Sequence, residues 1–171
     1  MWIVRSLQTS LVTLALAGLL RPPWPALAAP PGIGEPAPAF TVPTLDGTSF
    51  DLAAHQGRVV VVMFTAPGCG ECIPELRNLS QINAEYAGRG VDIVALNIDS
   101  YTTDDDLRDF KSFVGGADYI WAQDQGGLVT RAYGVRALET TVIIDRSGQI
   151  AYRDETTTSV DAYRAALEPL L

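Results

Sequence analysis

Cys69 and Cys72 are the only cysteines of the chain, and two residues separate them. A disulfide that serves stability gains most by closing a long loop, and a bond between these residues would close almost none. Two thiols also fall short of a structural zinc site, which normally has four ligands, and the single histidine, His55, lies upstream. The spacing therefore predicts a redox-active pair that alternates between dithiol and disulfide, with an inert disulfide as the alternative interpretation.

The segments around the cysteines predict a strand followed by a helix. Residues 58–65 (RVVVVMFT) form an almost continuous apolar run, which is typical of a strand buried on both faces. Residues 66–68 predict a turn, and the apolar spacing over 70–87 predicts a helix. Cys69 is then expected at the helix N-terminus, with Cys72 one turn inside. Unpaired N–H groups and the helix dipole favour a thiolate there, so Cys69 is predicted to attack, or be attacked by, the sulfur of a partner. Cys72 is then predicted to resolve the mixed disulfide that forms on Cys69.

The remaining elements alternate between strand and helix. An Asp46–Gly47 turn predicts a β-hairpin over residues 40–52. Downstream, the pattern predicts a buried strand over 91–99, a helix over 104–114 with Leu107, Phe110 and Phe113 on one face, a short strand over 119–122, a short helix over 128–133, a strand hairpin over 141–145 and 149–153, and a last helix capped by Ser159 that packs Tyr163 and Leu167 inward. This order predicts a single α/β domain with a central mixed β-sheet flanked by helices.

The first 28 residues predict a secretory signal peptide, leaving a mature domain of residues 29–171. A weakly basic start precedes the apolar run of residues 11–20, and small residues at 26–28 supply a cleavage site. An uncleaved anchor is the alternative, although polar residues at 8–10 shorten the apolar run below the ~20 residues that a spanning helix needs. Either way we expect an exported domain, periplasmic or otherwise extracytoplasmic, where disulfides form and persist.

The charge of the mature chain argues against two classes of partner. The full chain has a formal charge of −8, and removing Arg5 and Arg21 with the leader takes it to −10. Such a surface repels nucleic acid and anionic membranes, so we expect neither as a partner.

Several segments of the mature chain occur together in one known family. They are GEPAPAF at 34–40, LDG at 45–47, GRVVVV at 57–62, CGEC at 69–72 with Glu75, YGV at 133–135 and TTVIID at 140–145. In this combination the chain resembles the TlpA-like (ResA/CcmG-type) thioredoxins, an exported branch of the thioredoxin fold. The resemblance implies a thioredoxin-like fold with an N-terminal β-hairpin extension and an inserted helix.

The same resemblance implies a thiol–disulfide oxidoreductase, an enzyme that works through a Cys69–Cys72 disulfide. Its partners would be disulfides or dithiols of exported proteins, including cytochrome c precursors, with electrons supplied by a membrane donor. We expect a monomer that requires no bound cofactor or metal.

The resemblance also implies which residues form the site. Glu75 occupies the position of an acidic residue common in this branch, three residues after Cys72 and on the same helix face, where it could accept the proton of that thiol. A solvated helix glutamate is the alternative. The loops expected to face the substrate comprise Pro67, Gly68, Gly70 and Glu71 beside the cysteines, and Leu138, Glu139 and Thr140 before the closing strand.

Three positions depart from the family pattern. Gly68 stands where many members have tryptophan before the first cysteine. Glu71 places a negative charge between the cysteines, which disfavours a thiolate and predicts a more reducing pair. Glu139 stands where the family has a cis-proline, and a non-proline cis bond costs ~3–4 kcal/mol. We therefore expect a trans Leu138–Glu139 bond and an acidic side chain toward the disulfide.

Two other functions remain open. A thiol peroxidase of the peroxiredoxin type would need a hydroxyl three residues before the cysteine, where Ala66 stands, and an arginine near Glu139, for which Arg136 is a misplaced substitute. A redox-inactive thioredoxin-fold binding module is the other alternative, because Glu139 replaces the proline that binds substrate in the family.

Overall fold

The computed structural model describes residues 29–171, so the signal-peptide prediction for residues 1–28 lies outside the described residues. The strands are β1 (Thr41–Pro43), β2 (Ser49–Asp51), β3 (Val59–Thr65), β4 (Val91–Asn97), β5 (Ile120–Gln123), β6 (Thr141–Ile144) and β7 (Ile150–Asp154). The helices of five or more residues are α1 (Cys72–Tyr86), α2 (Asp104–Phe113), α3 (Leu128–Ala132) and α4 (Val160–Leu167). None of the helices in this described part is long and apolar enough to cross a membrane.

Five strands form one mixed sheet in the order β5-β4-β3-β6-β7. Strand β3 runs parallel to β4 and antiparallel to β6, and all of its residues are buried. Parallel neighbours need a crossover, and α1 supplies it between β3 and β4. The predicted buried strand and mixed sheet are therefore confirmed, and the C-terminal end of β3 delivers the chain to the cysteines.

The two faces of β3 pack against different layers because side chains alternate along a strand. Val61 and Met63 join the core that contains α1 and α4. Val60, Val62 and Phe64 join a second core formed with the N-terminal hairpin and α3. Helix α1, which carries Cys72, therefore packs against only one of the two faces of the sheet.

The N-terminal hairpin of the predicted fold is present, as are helices that flank the sheet. Strands β1 and β2 pair antiparallel as a separate two-stranded sheet. Helix α2 lies between β4 and β5 and begins with a capping box, in which Thr103 and Asp106 exchange side-chain and backbone hydrogen bonds. These features confirm the thioredoxin-like α/β architecture.

The apolar face of α2 differs from the prediction in one residue. Leu107 and Phe110 are buried, but Phe113 is 66% exposed and Val114, immediately after the helix, is 2% exposed. With 3.6 residues per turn, a residue seven positions after Leu107 returns to its face, whereas one six positions after it rotates away. The prediction that Phe113 shares the face of Leu107 and Phe110 was wrong for this reason.

Candidate active site

The turn between β3 and α1 carries the two cysteines, which form a disulfide in the structure. Helix α1 begins at Cys72 rather than at residue 70, so the prediction that Cys72 lies one turn inside the helix was wrong. The cause is a tight turn with bonds between residues three apart: the Cys72 N–H donates to the Cys69 carbonyl (3.2 Å) and the Ile73 N–H to that of Gly70 (3.3 Å). Cys69 therefore precedes the helix by three residues.

The two cysteines differ in access to solvent. Cys72 is completely buried, whereas Cys69 is partly exposed. The Cys72 backbone N–H also points at Cys69 Sγ, at 3.1 Å. An N–H donor at this distance favours negative charge on the sulfur once the disulfide opens. Of the two cysteines, only Cys69 is therefore exposed to a protein partner.

Gly68 has a backbone conformation that explains its residue type. Its φ angle is +89°, in the region that L residues with side chains rarely adopt. A Cβ built on Gly68 would meet no atom within 4 Å, so conformation and not space selects glycine. The residue immediately before Cys69 therefore bends the turn and offers no apolar wall.

Glu75 lies one turn after Cys72 and is completely buried, which contradicts the alternative of a solvated glutamate. Its Oε1 accepts hydrogen bonds from Thr141 Oγ1 and Tyr163 Oη, both at 2.6 Å. Burial raises the pKa of the Glu75 carboxyl, and the hydrogen-bond donors of Thr141, Tyr163 and Thr158 oppose the rise only in part. Glu75 is consequently a carboxyl group that can hold a proton at higher pH than an exposed glutamate.

The loop before β6 follows the end of β3 closely. The Glu139 N–H donates to the Phe64 carbonyl (3.1 Å), and the Phe64 N–H donates to the Thr140 carbonyl (2.8 Å). No cis peptide bond occurs among residues 29–171, so the predicted trans Leu138–Glu139 bond is confirmed. Glu139 has a φ of 69°, the one positive φ of a non-glycine residue in the described chain.

Thr157 links the side chain of Glu139 to the cysteine turn. Its Oε1 accepts a hydrogen bond from Thr157 Oγ1 (2.7 Å), and the same hydroxyl lies 3.5 Å from the Glu71 carbonyl. Glu71 itself is exposed. The 138–140 loop and the cysteine turn are therefore adjacent in the structure.

The other residues predicted for the two loops differ in exposure. Pro67 and Leu138 are partly buried, and Gly70 is exposed. Thr140 is completely buried, and its hydroxyl donates to the Ala137 carbonyl (2.7 Å). Its side chain therefore stabilises the loop and does not face a substrate. The sequence missed Thr141 and Thr157 and gave Tyr163 only a packing role, because nothing local indicates that these hydroxyls reach the two glutamates.

The structure bears on the thiol peroxidase alternative and on the question of a metal site. Ala66 is buried and carries no hydroxyl, and Arg136 is exposed on the loop before Glu139. Within residues 29–171 no group of three or more metal-ligating side chains occurs. His55 pairs with Asp92 (2.7 Å) at the start of β3 and β4, the end of the sheet opposite to the cysteines.

Comparison with known proteins agrees with this geometry. A thiol–disulfide oxidoreductase ResA from Bacillus thuringiensis subsp. konkukian is 30% identical over 142 residues, which cover 80% of this chain and 79% of the relative. The family model for redoxin matches residues 33–167. The chain belongs to the redoxin family. With a ResA-type relative and a Cys69–Cys72 disulfide, this redoxin is a thiol–disulfide oxidoreductase of the thioredoxin fold.

Solved structures resemble the redoxin over most of its length. A Chlorobium tepidum protein assigned as the thiol:disulfide interchange protein DsbE is 30% identical with a TM-score of 0.71, covering 80% of this chain and 99% of that one. A secreted Mycobacterium tuberculosis disulfide oxidoreductase homologous to Escherichia coli DsbE is 25% identical with a TM-score of 0.67, covering 77% of this chain and 96% of that one.

Replacing Glu139 by proline, the family's residue, is expected to destabilise this redoxin by about 1–3 kcal/mol. Proline cannot adopt a positive φ, and it removes the N–H that satisfies the buried Phe64 carbonyl. Urea unfolding of the variant measures the loss. Glu139→Gln keeps the backbone donor and serves as the control. Equal stability of Glu139→Pro and wild type would contradict this account of the loop.

Proposed function

We propose that this redoxin reduces disulfides of exported proteins, with Cys69 as the attacking and Cys72 as the resolving cysteine. The observation that carries the proposal is the asymmetry of the pair: Cys69 is partly exposed and receives an N–H, while Cys72 is buried. A substrate disulfide can approach Cys69 Sγ, whereas Cys72 is confined to reacting with a sulfur already bound at Cys69.

The reaction then has two exchange steps. The Cys69 thiolate attacks a substrate disulfide, forms a mixed disulfide and releases the first substrate sulfur as a thiolate. Cys72 gives its proton to Glu75 and attacks Cys69 Sγ, which closes the Cys69–Cys72 bond and releases the second substrate sulfur. Two electrons pass from the protein dithiol to the substrate, and each released thiolate takes up a proton.

The direction of transfer follows from charge near the pair. Glu71 lies between the cysteines and Glu139 is linked to the same turn through Thr157. Negative charge near Cys69 raises the free energy of its thiolate relative to the disulfide, and an oxidised protein is then the favoured product. This supports a reductant over an oxidant.

We also propose where this redoxin acts and which partners it has. The predicted leader at residues 1–28 and the resemblance to a secreted disulfide oxidoreductase support an extracytoplasmic site. A protein that reduces others there needs electrons from a membrane donor. Cytochrome c precursors are a substrate class that fits a reductant of exported proteins. A monomer suffices for the reaction because one chain supplies the whole site.

Redox titration and insulin reduction together test the proposal. We expect the protein to reduce insulin disulfides and to have a potential well below the about −120 mV of a strong oxidant. Glu71→Gln removes the charge between the cysteines and is expected to make the potential less negative, whereas Glu155→Gln, another exposed glutamate, leaves it unchanged. A wild-type potential near −120 mV with no reduction of insulin would refute a reducing role.

A further inference from the structure

The two oxygens of the Glu75 carboxylate have unequal surroundings. Oε1 accepts two hydrogen bonds of 2.6 Å, from Thr141 on β6 and Tyr163 on α4. Oε2 is buried and forms no hydrogen bond among the residues that the structure describes, although the hydroxyl and the backbone N–H of Thr158 lie near enough to the carboxylate to lower its pKa. A buried oxygen without a hydrogen bond is energetically costly, and such an atom in a folded protein calls for an explanation.

The two donors belong to different elements and also contact each other. Thr141 Oγ1 and Tyr163 Oη are 3.1 Å apart, and both residues are completely buried. Tyr163 extends from the first turn of α4, and Thr141 is the first residue of β6, directly after the loop that contains Glu139. Glu75 Oε1 is therefore held from two sides, by the sheet and by a helix that packs on α1.

We propose that Tyr163 and Thr141 are positioning residues for the redox step: they fix Glu75 through Oε1 and so keep Oε2 free to accept the proton of Cys72. The inference rests on the proposed function, in which Glu75 is the proton acceptor. Cys72 and Glu75 are three residues apart on α1 and share one face of the helix. Unlike Glu75, Tyr163 and Thr141 exchange no proton with sulfur, and they act through the carboxylate.

The proton balance of the step is complete without a further reactant. The S–H bond of Cys72 breaks and its proton passes to Oε2, while the Cys72 sulfur forms a bond to Cys69 Sγ and the mixed disulfide breaks. The substrate sulfur leaves with the electron pair. When the site reopens, Glu75 returns the proton to solvent or to the departing thiolate.

The other titratable groups that face Glu75 keep their protons in the neutral range. Burial, reinforced by the charge of Glu75, raises the pKa of Tyr163 well above its ordinary value. Burial also raises the pKa of Tyr152 on β7, whose hydroxyl donates to Asp154 (2.8 Å). A neutral-range change in the rate of resolution therefore belongs to Glu75 and the cysteines.

Single-turnover kinetics with Tyr163→Phe test the positioning role. The probe is a self-quenched peptide disulfide, and the measured quantity is the pH dependence of mixed-disulfide resolution. A hydroxyl that donates to a carboxylate stabilises its charged form, so its loss raises the pKa of Glu75. We expect the acid limb of the profile to move upward by about one pH unit, which slows resolution about fivefold at the pH of the wild-type midpoint and about tenfold at lower pH.

Tyr119→Phe is the matched control, because Tyr119 is also buried and its hydroxyl donates to α1, at the Leu76 carbonyl (3.0 Å), away from Glu75. Its profile is expected to match the wild type. Thr141→Val should shift the limb as Tyr163→Phe does, and Thr141→Ser should restore it. If Tyr163→Phe fails to fold, the Thr141 pair decides the question.

An unshifted limb in Tyr163→Phe or Thr141→Val would overturn the inference, as would an equal shift in Tyr119→Phe. Glu75→Gln separates this failure from failure of the proposed function. If Glu75→Gln keeps the acid limb, Glu75 is not the proton acceptor. If Glu75→Gln removes the limb while the hydroxyl variants leave it unmoved, only the positioning role is refuted.

Discussion

Replacing Cys69 by serine is expected to lower the rate of insulin reduction to that measured without protein. Cys69 is the one partly exposed cysteine of the pair, and a serine hydroxyl is not a nucleophile toward disulfides at neutral pH. The buried Cys72 that remains cannot be approached by a protein substrate. Insulin precipitation in the presence of a small thiol reductant measures the loss.

Cys72→Ser is the matched control for this prediction. Both variants lose the same disulfide and hence the same constraint on the unfolded chain, so differences between them report on chemistry. Cys72→Ser is expected to lose turnover but to keep the first exchange at Cys69. Alkylation of the two single-cysteine proteins by iodoacetamide should be fast at Cys69 and slow at Cys72, and comparable rates would contradict the assigned roles.

Glu75→Gln is expected to slow resolution by about a hundredfold at neutral pH and to remove the acid limb of its pH profile. Positioned proton transfer by a side chain typically contributes 10²–10⁴-fold, and glutamine can accept no proton. The first exchange, at Cys69, should be little affected. Stopped-flow separation of the two steps tests this, and equal slowing of both would indicate a general structural defect.

The same substitution has a consequence for stability. Because burial raises the pKa of Glu75 in the folded protein, the folded state binds more protons than the unfolded state above the ordinary pKa of 4.5. The contribution of Glu75 to the free energy of unfolding is fully present below that pH and is lost as the pH rises through the folded-state pKa. Glu75→Gln should lack this loss and should gain stability relative to wild type toward neutral pH.

Glu85 on the same helix provides the opposite case. Its exposed carboxylate bonds to Arg164, and this partner lowers its pKa to about 2. Its contribution to stability is present above 4.5 and is lost as the pH falls toward 2. Urea unfolding across pH 2–8 should therefore give difference curves of opposite sign for Glu75→Gln and Glu85→Gln. Curves of the same sign would contradict the burial of Glu75.

The sequence was sufficient for the parts of the fold that depend on local pattern. The apolar run of β3, the hairpin signal and the Ser159 cap each depend on neighbours within a few residues, and each is present. The disulfide could likewise be predicted from the spacing of Cys69 and Cys72, because only two residues separate them.

The contacts of the site that the sequence could not predict join residues that are distant along the chain. The hydroxyls that hold Glu75 belong to Thr141 and Tyr163, 66 and 88 residues away. The link between Glu139 and Thr157 depends equally on the tertiary fold. The start of α1 at Cys72 results from a local competition between three-residue and four-residue hydrogen bonds, which apolar spacing does not resolve.

Trapping with Cys72→Ser tests the central claim most directly. The full chain carrying this change is produced in cells that export it, free thiols are blocked, and disulfide-linked products are separated without reductant. The account predicts mixed disulfides that join Cys69 to extracytoplasmic proteins and that disappear in the Cys69→Ser/Cys72→Ser double variant. Adducts that persist in the double variant, or no adduct with either an exported protein or purified insulin, would contradict it.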